Sequence, residues 1–139
     1  MLSRKTKYGL KALTYLARQE KNMPIQISTI ASEENISRKF LESILLQLKK
    51  AGYLASKKGK GGGYYLLKTA EEVKIDNVYR ILEGPISMVS CVSLNFYEKC
   101  DDCPEEKTCS VHQLMIQVRD NTLKIFEHTS IADLINKSK

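Results

Sequence analysis

Four cysteines and a histidine lie within twenty-two residues of one another: Cys91, Cys100, Cys103, Cys109 and His112. Their spacing is Cys91-x8-Cys100-x2-Cys103-x5-Cys109-x2-His112. Thiolates are soft donors, and clustered thiols in a reducing compartment bind metals more often than they form disulfides. Two classes of centre suit this set. Zinc accepts four thiolates, or three and an imidazole. An iron–sulfur cluster takes cysteines, with a histidine sometimes replacing one. Pro104 can fix the turn after Cys103, and Glu98, Lys99, Asp101, Asp102, Glu105 and Glu106 keep the segment at the surface. The plainer alternative is free thiols plus a helix-capping histidine. His128 stands apart near a helix end, where its charge is favourable, and is not read as a ligand.

A second set of residues points to a polyanion. Lys57-Lys58-Gly59-Lys60-Gly61-Gly62-Gly63 is a basic, glycine-rich segment between two short β-type runs. Such a tip fits a minor groove, whose potential is negative, or the phosphates beside it. It is not a P-loop: no G-x-x-x-x-G-K-[ST] occurs, and the segment leads into a strand rather than a helix. Upstream, Ser37, Arg38, Lys39, Glu42 and Ser43 share the start of an amphipathic helix. Arg or Lys can pair guanine there, and Glu can accept from the cytosine amino group. Arg4 and Lys5 add charge at the start of the first helix. Taken singly, each of these groups could be an ordinary solvated surface; their arrangement in order favours nucleic acid.

The elements that must position these residues follow from periodicity. Ser3 to Arg18 reads as a helix with Ser3 as N-cap and Leu10, Leu13, Leu16 and Ala17 at helical spacing. A short helix spans about Ser28 to Glu34, buried through Ile27, Ile30 and Ala31. Asn35 suits a turn residue with positive φ, and Ile36 anchors that turn. Ser37 then caps a third helix to about Ala51, with Phe40, Leu41, Ile44, Leu45 and Leu48 as its apolar stripe. Gly52 ends it. Tyr53–Ser56 and Tyr64–Leu67 form a hairpin around the basic tip. A fourth helix, Ile75 to Leu82, stops at Gly84-Pro85. Ile86 to about Ser110 has no sustained period and carries every cysteine. A long helix then runs to about His128, with Val111, Leu114, Met115, Val118, Thr122 and Ile125 close to a heptad seam. That seam is too apolar for a solvated helix and predicts a homodimer. Ile131–Ile135 reads as a short amphipathic turn, and Asn136–Lys139 as a frayed tail. The expected fold is mainly α with a small β-hairpin wing: a winged helix-turn-helix plus a long C-terminal dimerisation helix.

Composition agrees with this division. The 139 residues carry a net charge of +6, with 42% hydrophobic and 27% charged residues. Residues 1–68 hold 14 Lys+Arg against 4 Asp+Glu, and residues 69–139 hold 8 against 12. A basic half opposite an acidic, cysteine-bearing half suggests a polyanion partner, either nucleic acid or an anionic membrane surface. No apolar run is long enough to span a membrane. The first twenty residues are broken by Lys7, Lys11 and Arg18 and lack a signal-peptide core, so a cytoplasmic location is expected. No Ser-His-Asp arrangement or paired carboxylate site is present. A thiol redox enzyme using Cys100-x2-Cys103 would favour a strand-to-helix context that this segment lacks. The chain is not read as an enzyme.

The order and identity of these motifs resemble the Rrf2 family of bacterial winged-helix transcription regulators. The resemblance rests on Tyr8-Gly9-Leu10, on Ile36-Ser37 followed by Phe40-Leu41-Glu42, on Leu45…Leu48-Lys49-Lys50-Ala51-Gly52, and on Gly59-Lys60-Gly61-Gly62-Gly63-Tyr64. It covers nearly the whole chain, and the wing glycines followed by Tyr64 are its most specific part. It implies a homodimer joined through the long C-terminal helix and bound to palindromic double-stranded DNA, acting as a repressor. DNA contacts are expected from Arg4, Lys5, Ser37, Arg38, Lys39, Glu42, Lys57, Lys58, Lys60, Gly61 and Gly62. Cluster-binding members use three cysteines before the dimer helix and a further group. Cys103, Cys109 and His112 reproduce the spacing of the last three ligands. Cys91 lies farther upstream than is usual, and Cys100 is extra. An iron–sulfur cluster, [2Fe–2S] or [4Fe–4S], is therefore expected on Cys91, Cys103 and Cys109, with Cys100 or His112 completing the set. Zinc is the alternative. Exposure would make the cluster labile to oxygen, so a preparation handled in air would carry an empty loop. The implied organisation is a DNA-binding unit over 1–83, a sensor loop over 84–110, and a dimerisation helix with tail over 111–139. A zinc-bearing or metal-free relative acting through a protein partner is the rival reading.

Overall fold

The computed structural model describes residues 2–137. Helix α1 (Arg4–Ala17) opens the chain, followed by α2 (Ile27–Glu34), α3 (Arg38–Lys50), β1 (Leu54–Lys57), β2 (Gly63–Leu66), α4 (Ile75–Leu82), α5 (Ser110–Glu127) and α6 (Ile131–Lys137). The mainly helical fold with a hairpin wing is the one expected.

The helix starts are set by short side chains. Ser3 Oγ accepts the Thr6 N–H at 3.2 Å, and Ser37 Oγ accepts the Phe40 N–H at 3.5 Å. Each satisfies a donor that a first helical turn leaves free. Asn35 is left-handed, with φ 54°, and turns the chain from α2 into α3. The stripe of α3 is buried as predicted: Leu41, Ile44, Leu45 and Leu48 are fully enclosed. Burial of each such side chain stabilises the fold by about 1.5–3 kcal/mol. Phe40 is only half-buried and meets Tyr8 of α1 edge-on, with ring centroids 5.7 Å apart. Ile27 is likewise half-buried, because Ile25 takes the core position beside it.

The hairpin is antiparallel, with Leu54 opposite Leu66 and Lys57 opposite Gly63. Ile25 extends it: Ile25 and Tyr64 exchange both backbone hydrogen bonds at 2.8 Å. The wing is thereby tied to the start of α2. Glycine is required in this corner. Gly63 has φ 148°, and a Cβ there would collide with the Ile25 carbonyl. A Cβ on Gly62 would collide with the Lys57 carbonyl.

The C-terminal end departs from expectation. Residues 131–137 form a helix rather than a turn and a frayed tail. Asn136 and Lys137 lie in α6; Ser138 and Lys139 lie outside the described residues. Ser130 and Asp133 brace the start of α6. The Ser130 N–H donates to Asp133 Oδ2 at 2.9 Å, and the Asp133 N–H donates to Ser130 Oγ at 3.3 Å. This reciprocal cap is a helix-start signal. The helix packs on α1, with Ile131 fully buried in the same core as Leu13 and Leu41. Thus the chain returns from α5 to close the N-terminal unit.

Candidate nucleic-acid interface and cysteine centre

Three elements converge on one notch. Its walls come from the start of α2 (Gln26, Ser28), the start of α3 (Arg38), the end of α3 (Lys49) and the wing (Ser56, Lys57, Lys58, Gly59, Gly62). Lys49 Nζ donates to Ser56 Oγ at 2.6 Å, fixing α3 to β1. Ser37, Arg38, Lys39 and Glu42 are exposed, and so are Lys57, Lys58, Lys60 and Gly61. Arg4 is exposed and Lys5 half-buried. Gly62 is buried and serves the turn through its lack of a Cβ. Arg38 Nε lies 3.7 Å from Glu42 Oε1, with both side chains largely in solvent. An exposed pair of this kind holds its members loosely. Both stay available to a ligand. A helix N-terminus flanked by Arg38, Lys49, Lys57 and Lys58 suits phosphate. Gln26, Ser28, Lys49 and Ser56 are not among the DNA contacts that the sequence leads one to expect. Gln26 precedes a helix start, which was the available signal; Lys49 and Ser56 meet only after the hairpin folds back on α3.

The cysteine segment runs over the side of α5. Two single 3₁₀ turns, Ser90–Val92 and Glu106–Thr108, bracket it. Arg119 of α5 donates from Nη1 to the Val92 carbonyl at 2.8 Å and pins the segment next to Cys91. Cys91 Sγ lies 3.3 Å from His112 Nδ1. Cys109 is the N-cap of α5, and its Sγ accepts the His112 backbone N–H at 3.4 Å. Cys91, Cys103 and Cys109 are half-buried. Burial pushes the Cys103 thiol up, and the proximity of Cys109, Glu106 and Cys91 adds to this. Cys100 is exposed and donates to Asp102 Oδ1 at 3.0 Å, which raises its thiol pKa. Tyr97 donates to Glu106 and is raised by that bond first. In donor type the three half-buried thiols and the imidazole fit a soft metal or an iron–sulfur cluster. Among the described residues no three such groups meet at one point as placed. The four thiols are free.

The remaining singled-out residues lie along α5, which has no fully buried residue. Val111 is 57%, Leu114 53% and Ile125 63% exposed. Met115, Val118 and Thr122 are half-buried. Val118 and Thr122 border a groove completed by Leu2, Tyr79, Met88 and Phe126. His128 caps the far end of α5, its Nδ1 2.7 Å from the Lys124 carbonyl. No helix among the described residues is long and apolar enough to cross a membrane.

The chain is similar to known proteins over nearly all of its length. It is 37% identical over 138 residues to an rrf2-like HTH-type transcriptional regulator of Rhodobacter capsulatus, covering 97% of this chain and 92% of that one. CymR of B. subtilis, described as its global cysteine regulator, superposes with a TM-score of 0.81 at 29% identity, over 100% of this chain and 98% of that one. CymR of Staphylococcus aureus does so with a TM-score of 0.73 at 32% identity, over 96% of each. The family model for Rrf2, described as an iron-dependent transcriptional regulator, matches residues 2–137. With its wing, its helix-turn-helix and this full-length match, the chain belongs to the Rrf2 family, whose members are DNA-binding transcriptional regulators and not enzymes.

Proposed function

We propose that this chain is a cytoplasmic, homodimeric repressor that reads a palindromic operator and whose cysteine segment holds an iron–sulfur cluster. In this reading residues 1–83 bind DNA, 84–110 form the sensor segment, and 111–139 carry the dimer helix. The observation that carries it is the meeting of Cys91 Sγ and His112 Nδ1, at 3.3 Å, beside the Cys109 cap of α5. Two residues distant in sequence are held together by donors that suit a soft metal.

Arg38, Lys39 and Glu42 would face base edges from the start of α3, with Ser37 beside them. Lys57, Lys58 and Lys60 of the wing, with Arg4 and Lys5, would neutralise phosphates. Cys91, Cys103, Cys109 and His112 would be the ligands. Cys100, whose thiol is turned to Asp102, would stay outside the set. A bound cluster supplies one-electron chemistry and sensitivity to oxygen or nitric oxide. The chain converts the state of that segment into helix position through two contacts. Cys109 caps α5, and Arg119 of the same helix holds the Val92 carbonyl. Loosening the segment would release both, and α5 is the helix that sets the spacing of two recognition helices in the dimer. Half-sites about 34–36 Å apart demand a defined spacing. An unfilled segment would bind operator more weakly by the free-energy difference between the two arrangements.

The test is anaerobic reconstitution with iron and sulfide, followed by visible absorption, metal analysis and operator binding. Charge-transfer absorption, with operator affinity that differs between filled and empty protein, is expected. Stoichiometric zinc with no such absorption replaces the cluster by a structural metal. Equal affinity of filled and empty protein removes the sensing role.

A further inference from the structure

The cysteine that the ligand set does not need has a partner within reach. Cys100 and Cys103 are the first and fourth residues of a turn closed by the Cys103 N–H donating to the Cys100 carbonyl at 3.2 Å. A turn of this class brings its end Cα atoms within about 7 Å. A disulfide spans Cα atoms about 4.4–6.8 Å apart. The other two thiols are engaged elsewhere: Cys91 faces the His112 ring and Cys109 caps α5. Cys100 is exposed, and its thiol donates to Asp102. Cys100 is thus the more accessible of the two thiols, and Cys103 closes the same turn.

We propose that Cys100 and Cys103 form a reversible disulfide in the metal-free chain when a hydroperoxide is present. The hydroperoxide transfers one oxygen to one Sγ of the pair, giving a sulfenic acid and leaving as the alcohol, or as water from hydrogen peroxide. The other Sγ then attacks that sulfur. The S–S bond forms, the S–OH bond breaks, and the hydroxide leaves as water with the attacking thiol's proton. Both sulfurs are oxidised by two electrons in total, and the hydroperoxide is reduced by two. A small dithiol reverses the reaction by exchange. The bond removes Cys103 from the ligand set, so loading must await reduction, and it keeps Cys103 from irreversible over-oxidation. The consequence for loading rests on the cluster reading above; the disulfide itself does not.

Peptide mapping decides the matter directly. Trypsin cuts after Lys99 and Lys107, so residues 100–107 leave as one peptide holding only these two cysteines; Cys91 and Cys109 fall in others. Metal-free full-length chain, treated anaerobically with one equivalent of hydrogen peroxide and then alkylated, should yield peptide 100–107 two hydrogens lighter and unalkylated. Prior dithiol treatment should restore alkylation at both residues. A link from this peptide to that of Cys91 or Cys109, or sulfinic acid without any disulfide, overturns the proposal. The Cys100→Ser variant provides the second arm. It should accept iron and sulfide as the unaltered chain does, and after peroxide it should carry over-oxidised Cys103. Loss of uptake in that variant makes Cys100 a ligand and also overturns the proposal. Failure of the unaltered chain to take up iron and sulfide, with the disulfide still formed, defeats the cluster reading and leaves the disulfide standing.

Discussion

His112 Nδ1 lies 3.3 Å from Cys91 Sγ, across 21 residues of chain. The His112 backbone N–H meanwhile donates to Cys109 Sγ, so one residue addresses two sulfurs by two different groups. Replacing His112 with Ala removes the imidazole and leaves the backbone donor and the α5 cap in place. The variant should fold, and iron and sulfide retained per chain after reconstitution and desalting should fall at least about tenfold. Retention equal to that of the unaltered chain excludes His112 from the ligand set.

The wing lysines project from a corner whose backbone is fixed by Gly62 and Gly63. Lys57, Lys58 and Lys60 are exposed and make no ion pair among the described residues. Changing all three to Ala should leave the melting temperature nearly unchanged and weaken binding to every DNA sequence. Each lost phosphate contact should also flatten the plot of log affinity against log salt by about 0.9. A salt slope equal to the parent's would take the wing out of the interface.

Glu42 and Arg38 form a solvent-exposed i,i+4 pair, 3.7 Å apart, worth at most about 0.5 kcal/mol of stability. Base discrimination by a side chain that reaches a groove edge is larger, about 1–3 kcal/mol. Glu42→Ala should therefore change which operator is preferred by about ten- to a hundred-fold while barely affecting thermal stability. Uniform weakening across sequences would make Glu42 a neighbour of the phosphates.

The N-terminal unit was legible because its signals are local. Ser37, Asn35 and the α3 stripe each dictate backbone or burial within a few residues, and the helices fall within a residue or two of expectation. The strands shift by one, since glycine and lysine at the tip carry little β signal. What was not legible depends on distant chain. Residues Cys91–His112 gave the ligand types, but the Arg119–Val92 tether that orders them crosses 27 residues. Helix α6 reads as a turn in the sequence because its seven residues are too few for periodicity to identify. Its start was written in Ser130 and Asp133, a cap of the S-x-x-D kind.

Helix α5 exposes Val111, Leu114 and Ile125, so the expected dimer face can be cut without disturbing the monomer core. Leu114→Asp places a charge that is harmless in solvent and costly in an apolar interface. Sedimentation should show monomer, with circular dichroism unchanged, and operator affinity should drop by at least about a hundredfold because one half-site is lost. A dimeric Leu114→Asp protein would move the interface elsewhere. Val118 is a poorer probe, because it also borders the groove with Tyr79 and Phe126.

Closure of the N-terminal unit by α6 should be measurable through its cap and its buried anchor. Asp133 is held below the ordinary carboxylate range, first by the Ser130 backbone N–H and then by the Ser130 hydroxyl, with Lys74 and Lys137 adding to the effect. A carboxylate whose folded pKa lies below its unfolded one stabilises the fold above the unfolded value and loses that contribution as pH falls through the folded value. Asp133→Asn should therefore lower the melting temperature at neutral pH and flatten its fall below the ordinary aspartate range. Ser130→Ala should cost about 0.5–2 kcal/mol, as caps do. Ile131, fully buried in the core where α6 packs on α1, is the larger anchor, and Ile131→Ala should cost about 2–5 kcal/mol. Denaturant titrations of the three variants at neutral pH, with Asp133→Asn repeated in acid, check the order. An Asp133→Asn protein that loses as much stability in acid as the parent does would show that the bonds to Ser130 contribute nothing to closure.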